Sequence, residues 1–273
     1  MEKNSIIDKF EAQKYEEIIA KREMFTDNLF PPSNESINFQ IEEETKQSVP
    51  KFLDANVQTK PSSKLNYRWF RISKILKEYH LIKKVKSVSE ENLVDDVVQG
   101  ALGDCYYLSA LSALAEYKDR IINIFKSKEI NEYGCYQIKC YIHGDEVHLV
   151  LDDYFPCVGS DNQPQLAFSS VDLKDYNIWP LLLEKAWAKV NKNYDNIICG
   201  TAAHAFQFLT PAGIEVYYHS ENFYKLYNHI KEADDRKFII CTDISENSNT
   251  ASTSIITSLG LLTNHAYSII SAQ

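Results

Sequence analysis

The chain has 273 residues, of which 44% are hydrophobic and 12% aromatic, and this is enough for one large domain or two lobes with an apolar core. Its net charge is −9 at pH 7, and the sequence contains no stripe of clustered basic residues. The composition therefore excludes a nucleic-acid-binding surface of the usual basic kind. The longest apolar runs fall far short of the ~18 residues that cross a membrane, so no membrane span is expected.

The first residues and the cysteines both indicate a location inside the cell. Residues 1–24 mix charges with apolar side chains at helical spacing, which predicts an N-terminal helical extension and neither a signal peptide nor a membrane span. Six cysteines are spread along the chain with no secretory signal before them. We therefore expect free thiols and a cytoplasmic protein.

Helices and strands can be predicted in chain order from about residue 67. Residues 42–64 are polar and contain two prolines, which indicates extended chain covering a core that begins near Tyr67. An apolar helix is predicted to begin near Cys105 and a second one to span 179–192. Between them, residues 135–151 form two strand-like runs around the turn candidate His143-Gly144-Asp145, which predicts a β-hairpin.

The last part of the chain returns to alternating helix and strand patterns. A helix is predicted at 221–234, followed by a strand at 238–241. Residues 244–254 form a polar loop, and the segment HAYSII at 265–270 alternates like a strand. No internal repeat is visible.

Cys105 is the first candidate for chemistry because it follows Gly-Asp at the start of an apolar helix. The positive end of the helix dipole there favours a thiolate. Gln99 lies six residues upstream on a glycine-bearing turn and can donate to a developing oxyanion, with the Cys105 backbone N–H as second donor. The alternative is that Cys105 is one more buried, inert cysteine.

The sequence Gln99-Gly100-Ala101-Leu102-Gly103-Asp104-Cys105 resembles the active-site motif of the calpain family. Four further segments resemble the same family: FTDNLFPP, VLDDYFP, WPLLLEKAWAKVNKNY and GLLTNHAYSIISA. The resemblance implies an α+β, papain-like fold of two lobes over residues 25–273. Residues 25–200 would form the cysteine-bearing lobe and 201–273 the histidine-bearing lobe, which we expect to be incomplete.

The same resemblance implies an intracellular cysteine endopeptidase that performs limited proteolysis of protein substrates. Cys105 would be the nucleophile, His265 its base and Gln99 part of the oxyanion hole. An asparagine beyond the histidine orients the imidazole in such sites. Because the sequence ends eight residues after His265, we expect a fragment or a truncated relative in which this residue is absent. The alternative function is a catalytically inactive calpain-like protein that binds a peptide or a partner; nothing indicates a regulatory subunit.

Three departures from the family pattern lie near these residues. Tyr106 replaces a tryptophan, Cys199 the first of two substrate-contacting glycines, and Asn264 the glycine before the histidine. Gly200 and Asn264 are therefore the predicted substrate-binding positions. We expect altered peptide preference, because side chains now stand where the family has bare backbone.

The resemblance implies calcium as an activator and no organic cofactor. Asp96 matches a carboxylate ligand of the first lobe, and carboxylate oxygens suit this cation. A second carboxylate is expected two positions before Trp179, but Asn177 stands there.

Other residues invite readings that we do not favour. The spacing of Cys135, Cys140, His143 and His148 is wrong for a zinc knuckle, and the two cysteines would point to opposite faces of a strand. Asp152-Asp153 fits acids that cap a turn better than a catalytic carboxylate pair. The tryptophans of the 179–192 helix are expected in the core.

Overall fold

The chain folds into a mixed α and β structure, as predicted. A computed structural model describes residues 2–38, 66–83, 92–218, 222–244 and 257–273. The predicted covering chain at 42–64 lies outside the described residues, and so does residue range 245–254 of the predicted polar loop.

The helices alternate with short strands along the chain. In chain order they are α1 (Glu2–Glu11), α2 (Tyr15–Ala20), α3 (Ile72–Ile75), α4 (Cys105–Ala115), α5 (Lys118–Ile122), α6 (Trp179–Val190), α7 (Ala202–Leu209) and α8 (Phe223–Asp235). The predicted N-terminal helix is divided in two, because Lys14 has an extended backbone. Phe10 is the residue of α1 that enters the core.

Helices α4 and α6 build the centre of the molecule. Nine of the eleven residues of α4 are buried, since its sequence is apolar on almost every face. Helix α6 begins at the fully buried Trp179, with Pro180 in the first turn where no backbone N–H is needed. The ring of Trp187 stacks on Tyr107 of α4 at 5.6 Å. Both predicted helices are confirmed.

The described strands form three antiparallel sheets. They are β1 (Arg68–Arg71), β2 (Cys135–Ile142), β3 (Asp145–Asp152), β4 (Tyr154–Ser160), β5 (Gln163–Leu166), β6 (Ile240–Ile244) and β7 (His265–Ile269). The sheets have the orders β1-β4-β5, β2-β3 and β6-β7. The predicted hairpin is β2-β3, closed by His143 and Gly144, which both have positive φ as a two-residue turn requires.

Two strands depart from the predictions made from the sequence. Strand β4 was not predicted, and Pro156 lies inside it opposite Trp69. Proline is tolerated there because it takes part through its carbonyl, which accepts from the Ala167 N–H at 3.0 Å. The strand predicted at 238–241 begins at Ile240 and continues to Ile244, where it pairs with His265.

The β6-β7 sheet packs on the same apolar core as the central helix. Ala266 of β7 is buried and belongs to one cluster with Leu108 and Leu111 of α4. This packing carries the start of β7 to the start of α4. Among the described residues, no helix is long and apolar enough to cross a membrane.

Candidate active site

Cys105 is the first residue of α4 and is half-buried. Burial raises the pKa of its thiol, and the neighbouring Asp104 carboxyl raises it further. A hydrogen bond from the Ala266 backbone N–H acts in the opposite direction. The helix N-terminus was expected to favour the thiolate, but burial outweighs it here, so the thiol form is favoured.

His265 opens β7, immediately before the residue whose N–H reaches the Cys105 thiol. Burial lowers the pKa of its imidazole, which therefore stays neutral at neutral pH. The edge of the Tyr267 ring packs against the imidazole, with ring centres 4.9 Å apart. A neutral imidazole is the form that can accept a proton from a thiol.

The two residues line one cleft although 160 positions separate them in the chain. The cleft has a volume of about 210 Å³, and Gln99 lies on its wall with Cys105 and His265. The three residues that the sequence singled out for catalysis thus meet at one place. Their catalytic roles stay predictions.

Gln99 is held by the turn on which it lies. Its side-chain Nε2 donates to the Leu102 carbonyl at 3.2 Å, inside the turn. The next residue, Gly100, is pressed against the chain at Phe168, where an added Cβ would lie 1.5 Å from the carbonyl oxygen. Only glycine allows this approach. Because an amide nitrogen carries two N–H groups, the second one is left to donate to a substrate oxygen.

The predicted substrate-binding positions lie on two left-handed backbone corners. Asn264 has φ +53° and Cys199 has φ +61°, so both substituted residues adopt the conformation that glycine adopts most easily. The Cys199 N–H donates to the Gly103 carbonyl at 2.9 Å, which places this corner beside the approach to Cys105. Gly200 is exposed on one side and rests against the Tyr106 ring on the other.

Tyr106, which directly follows Cys105, is held in the core by two hydrogen bonds of its hydroxyl group. Its hydroxyl donates to the Ile197 carbonyl at 3.0 Å and accepts from Trp187 Nε1 at 2.9 Å. Burial raises its pKa, so the phenol stays neutral. The Tyr106 ring therefore packs against Gly200 and holds the first turn of α4 in place.

The predicted metal ligand Asp96 is buried and already hydrogen-bonded. Asn177 Nδ2 lies 3.0 and 2.9 Å from its two carboxylate oxygens, and Trp179 Nε1 lies 2.6 Å from one of them. Burial raises the Asp96 pKa, while these donors oppose the rise. The carboxylate thus joins the turn before the cleft to the start of α6.

The alternative ligand sets behave as structural residues. Cys135 and Cys140 are buried on opposite faces of β2, while His148 lies opposite Lys139. Asp152 forms a buried ion pair with Lys185. The next residue, Asp153, forms an ion pair with Arg71. Within the described ranges, no three His, Cys, Asp or Glu side chains lie together in a way that could hold a metal ion.

Sequence reasoning missed a pair of buried acids directly behind the cleft. Asp104 is the N-cap residue of α4 and Glu184 lies in α6, and each carboxyl group acts on the pKa of the other. Burial raises the pKa of both groups, that of Glu184 to about 7. The one signal in the sequence was an acid in the middle of the apolar run WPLLLEKAW.

The chain is similar to a family described as calpain family cysteine protease, whose model matches residues 25–273. It is 32% identical over 268 residues to calpain-type cysteine protease ADL1 of Oryza sativa subsp. japonica. It is 31% identical over 266 residues to DEK1 of Zea mays, another calpain-type cysteine protease, and 27% identical over 266 residues to Calpain-A of Drosophila melanogaster. These matches cover 94%, 94% and 95% of this chain but only 11%, 11% and 28% of the three relatives.

Proposed function

Because this chain belongs to the calpain family of cysteine proteases, we propose that it is an endopeptidase that cuts protein substrates at the Cys105–His265 cleft. The observation that carries the proposal is the meeting of Cys105, His265 and Gln99 on one cleft wall. We further propose that the fold is papain-like, with lobes at 25–200 and 201–273. Six free cysteines support a reducing compartment such as the cytoplasm.

The proposed reaction begins with proton transfer from the Cys105 thiol to the neutral imidazole of His265. The sulfur then attacks the peptide carbonyl carbon, and the carbonyl oxygen takes up the negative charge. The Cys105 backbone N–H and the Gln99 amide donate to that oxygen. The protonated imidazole gives its proton to the departing amine, which leaves a thioester on Cys105.

Water completes the cycle. His265, again neutral, removes a proton from a water molecule that attacks the thioester carbonyl. The acid product leaves, and the thiol is restored. Since the described state favours the thiol, substrate binding has to draw the proton of Cys105 towards His265.

A second candidate function is a peptide-binding protein without hydrolysis. The raised pKa of the Cys105 thiol favours it. The left-handed Cys199 corner also places a side chain beside the proposed peptide path. The two candidates differ in one measurable step, the formation of a thioester on Cys105.

Calcium dependence is a separate question, because the described residues around Asp96 do not fit the ion. The Asn177 Nδ2 group donates to both carboxylate oxygens of Asp96. It therefore lies where a cation held by both oxygens would bind. The oxygen of the same amide accepts from the Lys83 N–H at 2.7 Å and faces away. A calcium site needs six to eight oxygen ligands. We therefore include no calcium ion in the proposed reaction. For the Asp96 site, we expect that peptide cleavage is equally fast with calcium and with a chelator.

The proposed function is tested by peptide hydrolysis with three variants. Cys105→Ala and His265→Ala are each expected to abolish cleavage, because one removes the attacking sulfur and the other the proton acceptor. His204→Ala removes an exposed imidazole from α7 and serves as the matched control. Wild-type rates in either of the first two variants would refute the assignment. Binding without cleavage in the wild-type chain would favour the second candidate.

A further inference from the structure

Two carboxyl groups lie buried beneath the first turn of α4. Asp104 has no exposed surface and Glu184 is 2% exposed. Asp104 is the residue directly before Cys105, so its charge state acts on the proposed nucleophile. The proposed mechanism does not use either acid.

The polar contacts of the two groups are unequal. Glu184 Oε1 accepts from the Ser169 backbone N–H at 3.0 Å. Neither carboxyl oxygen of Asp104 receives a bond from an N–H or O–H group of the described residues. The group that faces Asp104 is the Glu184 carboxyl itself. Two carboxylates cannot bond to each other, whereas a protonated Asp104 can donate to the Glu184 carboxylate.

The groups around the pair do not neutralise a second negative charge. Tyr106 and Tyr107 of α4 and Tyr194 of the following segment surround it, and each has a raised pKa. The Cys105 thiol is the remaining titratable neighbour on α4. Lys185 lies next to Glu184 in sequence, but its ammonium is bound to Asp152. A pair of buried like charges without a cation is strongly disfavoured.

We propose that Asp104 and Glu184 share one proton and act as positioning residues for Cys105, with the negative charge kept on Glu184 and away from the thiol. This role rests on the proposed function of Cys105 as nucleophile. The hydrogen bond also ties the loop before Cys105 to α6. Two observations support this arrangement. Burial raises the pKa of both acids, and a charge on Asp104 raises the pKa of the Cys105 thiol.

Two near-isosteric variants separate this role from simple packing. In Glu184→Gln the remaining negative charge moves to Asp104, beside Cys105, and the thiolate becomes harder to form. In Asp104→Asn the amide donates to Glu184 as the protonated acid does, and the negative charge stays on Glu184. Alkylation of Cys105 by iodoacetamide, located by mass spectrometry across a pH series, reports the thiolate directly.

At neutral pH we expect Glu184→Gln to slow Cys105 alkylation by roughly fivefold, as a charge moved towards the thiol at intermediate dielectric would. Asp104→Asn should slow it by less than about twofold. Glu146→Gln, which removes a half-exposed carboxylate from β3, is the matched control. Equal slowing in the two variants of the pair would mean a packing role only and would overturn the proposal.

Infrared spectroscopy tests the shared proton without reference to Cys105. A protonated carboxyl band should persist in the wild-type chain at about pH 8, far above the usual carboxyl pKa, and disappear in both variants. Absence of that band in the wild-type chain would overturn the proposal whatever Cys105 does. A band that is present while Cys105 shows no selective alkylation would refute the proposed function and, with it, the positioning role.

Discussion

Gly100→Ala probes the turn that carries Gln99. An added Cβ would lie 1.5 Å from the Phe168 carbonyl oxygen and 2.4 Å from its carbonyl carbon. Since non-bonded carbon and oxygen atoms stay more than about 3 Å apart, the two segments would have to separate by roughly 1.5 Å. The obstacle is backbone, so no side-chain rotation relieves it.

The separation would also strain the neighbouring contacts. The Ser170 N–H donates to the Val98 carbonyl at 2.9 Å across the same two segments, and the Phe168 ring packs 4.6 Å from Tyr194. Overpacking of a tight site costs about 1–3 kcal/mol, and a backbone obstacle places this variant at about 3 kcal/mol or above. Because Gln99 moves with the turn, Cys105-dependent hydrolysis should fall as well.

Urea unfolding measures the loss as a lower transition midpoint with an unchanged slope. Gly213→Ala is the control, because an added Cβ there meets nothing within 4 Å. Its free energy of unfolding should stay within about 1 kcal/mol of the wild-type value. Equal midpoints for Gly100→Ala and Gly213→Ala would refute the argument from the Phe168 contact.

Two further predictions concern buried charges. Lys189→Met should lower the free energy of unfolding, measured with urea, by about 3–5 kcal/mol, because it leaves Asp27 buried without its ion partner. Lys126→Met breaks an exposed ion pair and should change the same quantity by less than about 1 kcal/mol. Burial raises the Glu184 pKa from 4.5 to about 7, so the folded state binds this proton more tightly than the unfolded state. That stabilisation is complete below about pH 4.5 and is lost as the pH rises to about 7, by up to about 3 kcal/mol. The double variant Asp104→Asn/Glu184→Gln, which keeps neither acid, should therefore gain stability relative to the wild-type chain across that window, and a constant difference would contradict the raised pKa.

The elements that sequence predicted best are those whose local pattern suffices. Helix α4 is apolar on nearly every face, and α6 combines an N-terminal proline with a long apolar run, so both were placed closely. Strand β4 was missed because Pro156 interrupts its pattern, and the pairing that tolerates it depends on distant β1. Short strands such as β5 carry too little pattern to be recognised alone.

The candidate site divides in the same way. Cys105 and Gln99 belong to one short motif, and His265 belongs to a second motif, so residue types and order were enough to select them. The coupling of Asp104 with Glu184 joins positions 80 residues apart, and only the packing of α4 on α6 creates it. The balance of burial and hydrogen bonds at the Cys105 thiol likewise depends on Ala266 of β7.

The central claim is that Cys105 is a nucleophile activated by His265. The most direct measurement is labelling by an epoxide that traps activated thiolates at neutral pH, with the adduct located by mass spectrometry in the wild-type chain and in His265→Ala. We expect an adduct on Cys105 that forms faster than on any of the other five cysteines and is lost in His265→Ala. Slow labelling spread over all six cysteines, or labelling of Cys105 that does not need His265, would contradict it.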